Sequence, residues 1–366
     1  MRRFFITTII VLAIYFAWSF QGRGIQSRTN YKPFTGLQIM NAPTGRANIV
    51  GIHPFMTPQD YSGAAAFYNK LDYYFTEVKK SGMLRGNSTV LLPEHFGTWL
   101  VAAEEKKSVY EVDNIESAIR IVAISNIFQF GYYYFKSDAN DRLNAAIFQM
   151  KAKKMANIYQ YAFSRISKKF EVHIVAGSIL LPDPKIVDGK LEIGEGALKN
   201  VSVVFTPDGS AHPSLTIKKF LSADEVGFVE GGTEPIPVYH LPTGSISILL
   251  CEDSWYQQNH DEVLQNGAKI ILSPAYLSKN ELWESDWKGL NPMPDDIDKG
   301  IIGSLSEAEA WHKYSLSRNK SGTSISVFMS GKLWDIGSDG KSFVYVKNQI
   351  REVPDEAPFI FNTWIY

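Results

Sequence analysis

The sequence predicts an α/β domain in which helices cover the faces of β-sheets, preceded by one N-terminal hydrophobic helix. Short apolar, β-branched runs alternate along the chain with amphipathic stretches of helical period, which is typical of strand–helix units in layered α/β proteins. The 366 residues are 45% hydrophobic, which is enough to bury a large core. An uncharged stretch near the N terminus stands apart from this pattern.

The segment from Phe4 to Phe20 contains no charged residue and follows Arg2 and Arg3. We interpret residues 1–22 as a signal anchor, because positive charge precedes the apolar run. A signal peptide cleaved near Ala17-Trp18-Ser19 and a buried N-terminal helix remain alternatives. An anchor would leave the rest of the chain on the non-cytoplasmic side of a membrane, periplasmic or extracellular, whereas a cleaved chain would be secreted.

Residues 23–46 are rich in Gly, Asn, Pro and Thr and have no clear periodicity, which predicts a linker. The folded domain is predicted to span residues 47–366. It opens with a strand from Ala47 to His53, an amphipathic helix from Tyr61 to Lys80, and a strand from Ser88 to Leu92.

The middle of the chain continues this alternation. Trp99 to Val112 is polar and predicts a surface excursion. Asp113 to Glu116 resembles a capping box that opens a helix, and a further helix is predicted from Ala145 to Ser167. Val172 to Leu181 and Asn200 to Phe205 predict strands.

The last third of the chain repeats the same units. The predicted elements are strands around Val238 and Ile248, a helix from Gln257 to Gln265, a strand from Lys269 to Leu272, a helix from Leu305 to Asn319, a strand from Thr323 to Met329, and a hairpin-like pair on either side of Ser338-Asp339-Gly340.

Reactive side chains follow or end three apolar runs. Glu94 ends the run Val90-Leu91-Leu92-Pro93, Lys218 lies in Thr216 to Leu221, and Cys251, the only cysteine, follows Ile248-Leu249-Leu250. A helix beginning near Ser254 would favour a thiolate at Cys251. Taken alone, Cys251 is also explained as a small buried hydrophobic residue. The presence of a carboxylate, an amine and a thiol in this order favours a catalytic interpretation.

This order and these contexts resemble the nitrilase or carbon–nitrogen hydrolase superfamily. Its members have a Pro-Glu at the end of an early strand, a Lys followed three residues later by Leu, and a Cys with an acidic neighbour after a later strand. Cys-Glu-Asp-Ser-Trp at 251–255 is also similar to the cysteine motif in the glutaminase domains of glutamine-dependent NAD synthetases. The resemblance extends from about Asn48 to about Val346. It implies an α-β-β-α sandwich that commonly dimerises.

The resemblance also implies a role for each residue of the motif. Cys251 would attack an amide carbonyl and form a thioester, and Glu94 would serve as general base and then as general acid. Lys218 would hold the oxyanion with the backbone N–H of Glu252. Leu221 three residues later favours Lys218 over Lys219, whose side chain faces the other way on an extended strand. Two solvated lysines are the alternative.

Further residues are candidates for binding the substrate. Glu225 is the nearest match to a second glutamate that orients the substrate and supports the lysine in many family members, with Glu230 as the alternative. Asp224 and Glu225 are also explained as a solvated turn. An apolar acyl pocket would draw on aromatic residues that are equally compatible with ordinary core, namely Phe96, Trp99, Trp255 and Tyr276.

Other classes of site have little support in the sequence. The seven histidines form no HxxxH pair and there is no CxxC, so neither a metal nor another cofactor is predicted. A papain-like site would need His260 beside Cys251. The net charge of −1, with scattered Lys and Arg, disfavours nucleic acid as a partner.

The leading hypothesis is therefore a membrane-anchored or exported amidase that hydrolyses a non-peptide or terminal amide, a small-molecule substrate, through a cysteine thioester. The expected partners are this substrate, a membrane through the N-terminal segment, and a second copy of the chain. One alternative is acyl transfer resembling that of apolipoprotein N-acyltransferase. Another is a catalytically silent scaffold in the cell envelope.

Overall fold

Seven α-helices and eighteen β-strands alternate along the described part of the chain. The computed structural model describes residues 1–24, 31–41, 47–279, 281–319, 322–354 and 357–365. The helices are α1 Arg2–Phe20, α2 Ala64–Lys80, α3 Ile115–Ser125, α4 Ile127–Lys136, α5 Arg142–Phe170, α6 Gln257–Gln265 and α7 Glu307–Tyr314.

The strands are short, and most of them are buried. They are β1 Gly36–Ile39, β2 Ala47–His53, β3 Phe55–Met56, β4 Ser88–Leu91, β5 His173–Val175, β6 Ile179–Pro182, β7 Lys185–Val187, β8 Lys190–Glu192, β9 Leu198–Phe205, β10 Ala211–Ile217, β11 Val238–Leu241, β12 Gly244–Ile248, β13 Ile270–Pro274, β14 Thr323–Val327, β15 Ser330–Gly331, β16 Phe343–Val346, β17 Gln349–Glu352 and β18 Phe359–Ile365.

Two large sheets organise these strands. The first has the order β1-β18-β2-β4-β5-β9-β10, with β6 also paired to β9, and the second has the order β11-β12-β13-β14-β16-β17. The neighbours β2, β4 and β5 run parallel, as do β12, β13 and β14. Parallel strands need covering on both faces, which explains their continuous apolar sequences.

Three clusters of buried side chains define the layers. One cluster joins the two sheets face to face and includes Leu91, Val204, Ile248 and Leu272. A second lies between the first sheet and helices α2 and α5, and a third lies between the second sheet and helices α6 and α7. The order of layers is therefore helix, sheet, sheet, helix, and the predicted α-β-β-α sandwich is confirmed.

Helix α1 contacts this sandwich near its C-terminal end. Among the described residues, one helix is long and apolar enough to cross a membrane, with an 18-residue window at Arg3–Phe20 that is 6% buried. The length and apolar composition of α1 suit a membrane span, and a signal sequence has the same properties.

Part of the predicted linker is a strand. Gly36–Ile39 forms β1 and pairs in parallel with β18 at the edge of the first sheet. Residues 25–30 and 42–46 of the predicted linker lie outside the described residues.

The predicted surface excursion from Trp99 to Val112 is wrong. This stretch forms two short 3₁₀ helices with buried apolar residues, including Leu100 and Val109. Its buried Glu105 pairs with Lys151 of α5 at 2.6 Å. This polar stretch can be buried because the charge of Glu105 is paired with that of Lys151.

Two boundaries also differ from the prediction. The strand predicted from Val172 to Leu181 is divided into β5 and β6 at Gly177, whose φ is 69°. The predicted hairpin around Ser338-Asp339-Gly340 lies elsewhere, because β16 and β17 pair across Lys347 and Asn348. Both of these residues have positive φ, which is the geometry of a tight two-residue hairpin turn.

Candidate active site

Three reactive side chains follow strands of the two sheets. Glu94 follows β4 and Lys218 follows β10 in the first sheet, and Cys251 follows β12 in the second. Cys251 has a φ of 46°, in the left-handed region, so the chain turns sharply at the thiol and enters a 3₁₀ helix, Cys251–Trp255. The three side chains are 0–2% exposed. The packing of the two sheets thus brings the three residues into one buried site.

Lys218 is at the centre of the site. Its Nζ lies 2.8 Å from Glu94 Oε1 and donates a hydrogen bond to it, and it donates another to Glu225 Oε2 at 2.7 Å. The same Nζ is 2.5 Å from Glu252 Oε2, a close ion pair that lacks the alignment of a hydrogen bond. Burial opposes the charge of this amine, but Glu225, Glu252 and Glu94 raise its pKa well above the usual value.

Asn200, in β9, connects two of the carboxylates. Its Nδ2 donates to Glu94 Oε1 at 3.0 Å and to Glu225 Oε1 at 2.6 Å. Its backbone carbonyl accepts from Lys218 N at 2.9 Å. Asn200 therefore fixes Glu94, Glu225 and the start of the Lys218 segment relative to one another.

Glu94 is suited to proton transfer near neutral pH. Burial raises the pKa of its carboxyl to about 7, against the attraction of Lys218 and with the repulsion of Glu225. Glu225 has a lowered pKa: although burial opposes its charge, Lys218 and the N–H of Ser222 stabilise the carboxylate. The two carboxyls thus have different proton affinities, which is the condition for separate base and supporting roles.

The thiol of Cys251 lies next to Glu94. Its Sγ, a Glu94 oxygen and a Glu252 oxygen are within 4.8 Å of one another, and Sγ is 3.6 Å from the carbonyl oxygen of Tyr276. Burial, followed by the charges of Glu252 and Glu94, raises the pKa of the thiol well above its usual value. The resting thiol is therefore neutral and needs a base to become a nucleophile.

Lys219 faces away from the site. Its Nζ pairs with Glu262 Oε2 of α6 at 2.7 Å, while its backbone N–H donates to Asp253. Asp253 also accepts from Phe220 N at 2.8 Å. This buried carboxylate connects the segment after β10 to the turn after Cys251, and burial raises its pKa to about 7.

Aromatic residues pack together beside the site. Tyr276, one of the predicted binding residues, has ring contacts with His95 and Trp99, and Trp99 also contacts Trp334. His95 Nε2 lies 3.7 Å from Glu225 Oε1, and burial lowers the pKa of this imidazole to about 4. A neutral ring next to a carboxylate is a hydrogen-bonding group rather than a second cation.

The structure places two predicted binding residues in the hydrophobic core instead. Phe96 packs between Phe67 and Phe163, beneath the first sheet. Trp255 stacks on Trp287 and contacts Trp311 beneath the second sheet. Both follow a catalytic candidate closely in sequence, but their side chains turn inward, where a large apolar surface is best buried.

The helix predicted to begin near Ser254 is also different. A short 3₁₀ helix, Cys251–Trp255, begins at the thiol itself, and the α-helix α6 begins only at Gln257. His260 does not pair with Cys251, since its Nε2 is 2.7 Å from the carbonyl oxygen of Ser254. The structure thus disfavours a papain-like pair.

Sequence reasoning missed Asn200, His95 and Trp334. Asn200 lies in the mostly buried strand β9 and His95 directly follows the motif glutamate, but neither position has a pattern that separates function from structure. The donor atoms of Glu94, His95 and Glu225 come within 4.8 Å of one another, as metal ligands would. The Lys218 ammonium lies 2.8 Å from Glu94 and 2.7 Å from Glu225, so a metal cation would meet a positive charge there.

Comparison with solved structures finds a similar fold in amidases. An amidase from Nesterenkonia sp. matches with a TM-score of 0.52 and 14% identity, covering 88% of this chain and 90% of its own. A mutant of the Nesterenkonia sp. AN1 amidase, described as from the nitrilase superfamily, matches with a TM-score of 0.52 and 14% identity over 87% and 90%.

A further mutant of that amidase carries acrylamide, joined by Michael addition at the active site cysteine, and matches with a TM-score of 0.52 and 14% identity over 86% and 91%. No protein-family model matches the chain, and the comparison with curated proteins gave no match. At this level of identity the likeness establishes the fold.

Proposed function

We propose that this chain, which has the fold of the nitrilase-superfamily amidases, hydrolyses a carbon–nitrogen bond of an amide through a thioester on Cys251. The observation that supports the proposal most strongly is the buried arrangement of Lys218, Glu94 and Cys251. A neutral thiol adjoins a carboxyl with a pKa of about 7, and a permanent cation is held beside that carboxyl. Purely structural roles do not require this combination.

The proposed reaction uses one carboxyl in both directions. Glu94 takes the proton of the Cys251 thiol while sulfur attacks the amide carbonyl, and Lys218 with the N–H of Glu252 stabilises the oxyanion. The protonated Glu94 then gives its proton to the leaving nitrogen, the C–N bond breaks, and a thioester remains. Glu94 next removes a proton from water, which attacks the thioester carbonyl. The C–S bond then breaks, the carboxylic acid is released, and Glu94 returns the proton to the Cys251 sulfur.

The aromatic residues beside the site suggest the acyl side of the substrate. Trp99, Tyr276 and Trp334 would contact the group attached to the carbonyl, while His95 and Glu225 offer polar contacts. We infer an amide with an apolar acyl part. We also propose that α1 is a membrane anchor and that the chain forms a homodimer.

Intact-protein mass spectrometry tests this function. The full chain is incubated with short-chain amides, long-chain acyl amides and phospholipid, and the same mixture is given to the Cys251→Ala variant. We expect a mass increment on the unchanged protein alone, equal to one acyl group. A long acyl group taken from phospholipid would instead favour acyl transfer.

The proposal would be overturned by normal amide hydrolysis in the Cys251→Ala variant. It would also fail if the unchanged protein gained no mass and thiol reagents did not label Cys251. Thermal unfolding of both proteins, measured in parallel, shows whether the variant keeps the fold.

A further inference from the structure

An exposed apolar stripe runs along α3 and α4, on the side away from the core. Residues 121–135 contain no Asp, Glu, Lys or Arg. We call the following residues the aromatic face, with exposed fractions in brackets: Ile124 (51%), Ile127 (46%), Phe128 (59%), Tyr132 (61%) and Phe135 (84%). Within α4, Phe128, Tyr132 and Phe135 are spaced by four and three residues and so lie on one side of the helix. Ile124 and Ile127 extend this side across Asn126, where α3 ends and α4 begins.

Folding of the domain does not account for this face. The opposite side of α4, with Phe130 and Tyr133, already packs against the core that includes α5. Helix α4 is thus apolar on both sides, although one side is exposed. A contiguous exposed patch of this kind marks an interaction surface.

The aromatic face is continuous with the end of α1. Phe16 stacks on Phe128 with ring centroids 5.8 Å apart, and Tyr15 contacts Phe128 edge to face at 5.6 Å. The Tyr15 hydroxyl donates to the carbonyl of Ile124 and accepts from the N–H of Ile127. Ser19 Oγ donates to the carbonyl of Ser125 at 2.6 Å. These bonds fix the last turns of α1 against the α3–α4 corner.

The length of α1 then determines the depth of that corner in a membrane. An 18-residue helix is about 27 Å long, slightly less than the roughly 30 Å of a bilayer's hydrocarbon core. A span would therefore use all of α1, including Phe16, about one turn before its end at Phe20. Because Phe128 stacks on Phe16, the aromatic face must lie at the membrane boundary.

The charges around this corner suit lipid headgroups. A cavity of about 480 Å³ opens beside Asn126 and Gln129 and is lined by Arg23, Lys151, Lys153 and Lys154, with Glu104 as its acidic residue. Lys154 pairs with Glu104 at 2.7 Å, and Lys151 with the neighbouring Glu105 at 2.6 Å. Positive charge remains in excess, as expected next to phosphate groups.

We propose that the aromatic face docks on a lipid bilayer, with its side chains at the boundary between headgroups and acyl chains. Tyrosine and other aromatic side chains favour this layer, and an interfacial helix buries its apolar face there by about 5–10 Å. The face and α1 together would hold the sandwich against the membrane in one orientation. The proposal depends on the anchor assigned to α1, and not on the amidase activity.

Site-directed fluorescence in vesicles tests it. Single cysteines replace Tyr132 or Phe135 in the Cys251→Ala background of the full chain and receive an environment-sensitive fluorophore. The vesicles contain phosphatidylcholine and phosphatidylglycerol in equal amounts, with or without brominated acyl chains. We expect brominated lipid to quench both labels several-fold more than labels at Ile302 or Ile350, exposed apolar residues outside the aromatic face. A label at Ile10, within α1, reports insertion of the anchor separately.

Each outcome decides the question. Quenching at Ile10 without quenching at Tyr132 and Phe135 would overturn docking and leave the anchor. No quenching at Ile10 would overturn both. Labels at Tyr132 and Phe135 that are shielded from aqueous iodide but unaffected by brominated lipid would show that a second copy covers the face, which also overturns the proposal.

Discussion

Burial raises the pKa of Glu94 and Lys218 lowers it, and the balance brings this pKa to about 7. Near neutral pH the carboxyl is therefore divided between its neutral and ionised forms. If it activates the thiol, the rate of Cys251 alkylation by iodoacetamide should rise with pH through about 7, because Glu94 loses its proton there. In the Glu94→Gln variant this rise should move to higher pH, since burial keeps the thiol pKa raised. An identical pH profile in both proteins would exclude Glu94 as the base.

Asn200 also affects the ionisation of Glu94. Its hydrogen bond favours the ionised form of Glu94, so Asn200→Ala should raise the Glu94 pKa and shift the alkylation profile to higher pH. Hydrogen bonds to charged groups contribute about 1.5–3 kcal/mol, so alkylation at pH 7 should slow by roughly 10- to 100-fold.

Asn48 offers a matched control for this variant. It is also a buried asparagine in a strand, and its side chain donates hydrogen bonds to the carbonyl of Met83 and to Asn362, away from Glu94 and Cys251. Asn48→Ala should reduce thermal stability without shifting the alkylation profile. Equal shifts in the two variants would mean that Asn200 acts only on stability.

The positions of some single residues could be predicted from the sequence, and those of others could not. The meeting of Glu94, Lys218 and Cys251 in one buried cluster was predictable because each has a local motif. Leu221, three residues after Lys218, favoured Lys218 over Lys219, and alternation along a strand allows only one of the two to face the cluster. Phe96 and Trp255 were misplaced because an aromatic residue near a motif has the same sequence signal whether it lines a pocket or fills the core.

Between the elements β5 and β6, Gly177 controls the position of Glu94. A Cβ at Gly177 would lie 2.1 Å from the carbonyl oxygen of Pro93, the residue before Glu94. Gly177→Ala should therefore displace Glu94, lower stability by more than about 2 kcal/mol, and abolish the rise in alkylation near pH 7.

Gly82→Ala is the control for backbone strain. Gly82 has a φ of 74°, close to the 69° of Gly177, but no atom lies within 4 Å of its hypothetical Cβ. It should cost about 1 kcal/mol and leave the alkylation profile unchanged. Equal losses in the two variants, measured by urea unfolding, would contradict the steric explanation.

Helices with clear periodicity were predictable at the scale of elements, as α6 shows by matching its predicted bounds at Gln257 and Gln265. The hairpin turn at Lys347-Asn348 was not, since neither residue is the glycine that usually marks positive φ. The buried stretch after Trp99 was missed because its burial depends on a partner in α5.

For the molecule as a whole, a buried charge network joins Arg23, just after α1, to the sandwich. Glu105 is paired with Lys151 at 2.6 Å, contacts Arg23 at 3.6 Å, and accepts from Asn126. Removing Lys151 leaves a buried carboxylate with weaker partners, so Lys151→Met should lower stability by about 3–5 kcal/mol.

The control is an exposed pair. Lys80 lies 2.7 Å from Glu77 on the surface of α2, and Lys80→Met should leave the denaturation midpoint unchanged, because water screens this pair. Chemical denaturation of the full chain in detergent compares the two variants. A Lys151→Met midpoint equal to that of Lys80→Met would show that Glu105 does not need its buried partner.

The conformation of Cys251 has a consequence for how this chain can evolve. A left-handed φ is one that glycine adopts freely and that costs other residues about 1 kcal/mol or more, so Cys251→Gly should relax the turn. Random substitution in a lineage that no longer used the thiol would tend to fix the residue that fits the backbone. The cysteine at 251 therefore costs stability that a glycine would not, which is expected of a residue whose use is its sulfur chemistry rather than folding.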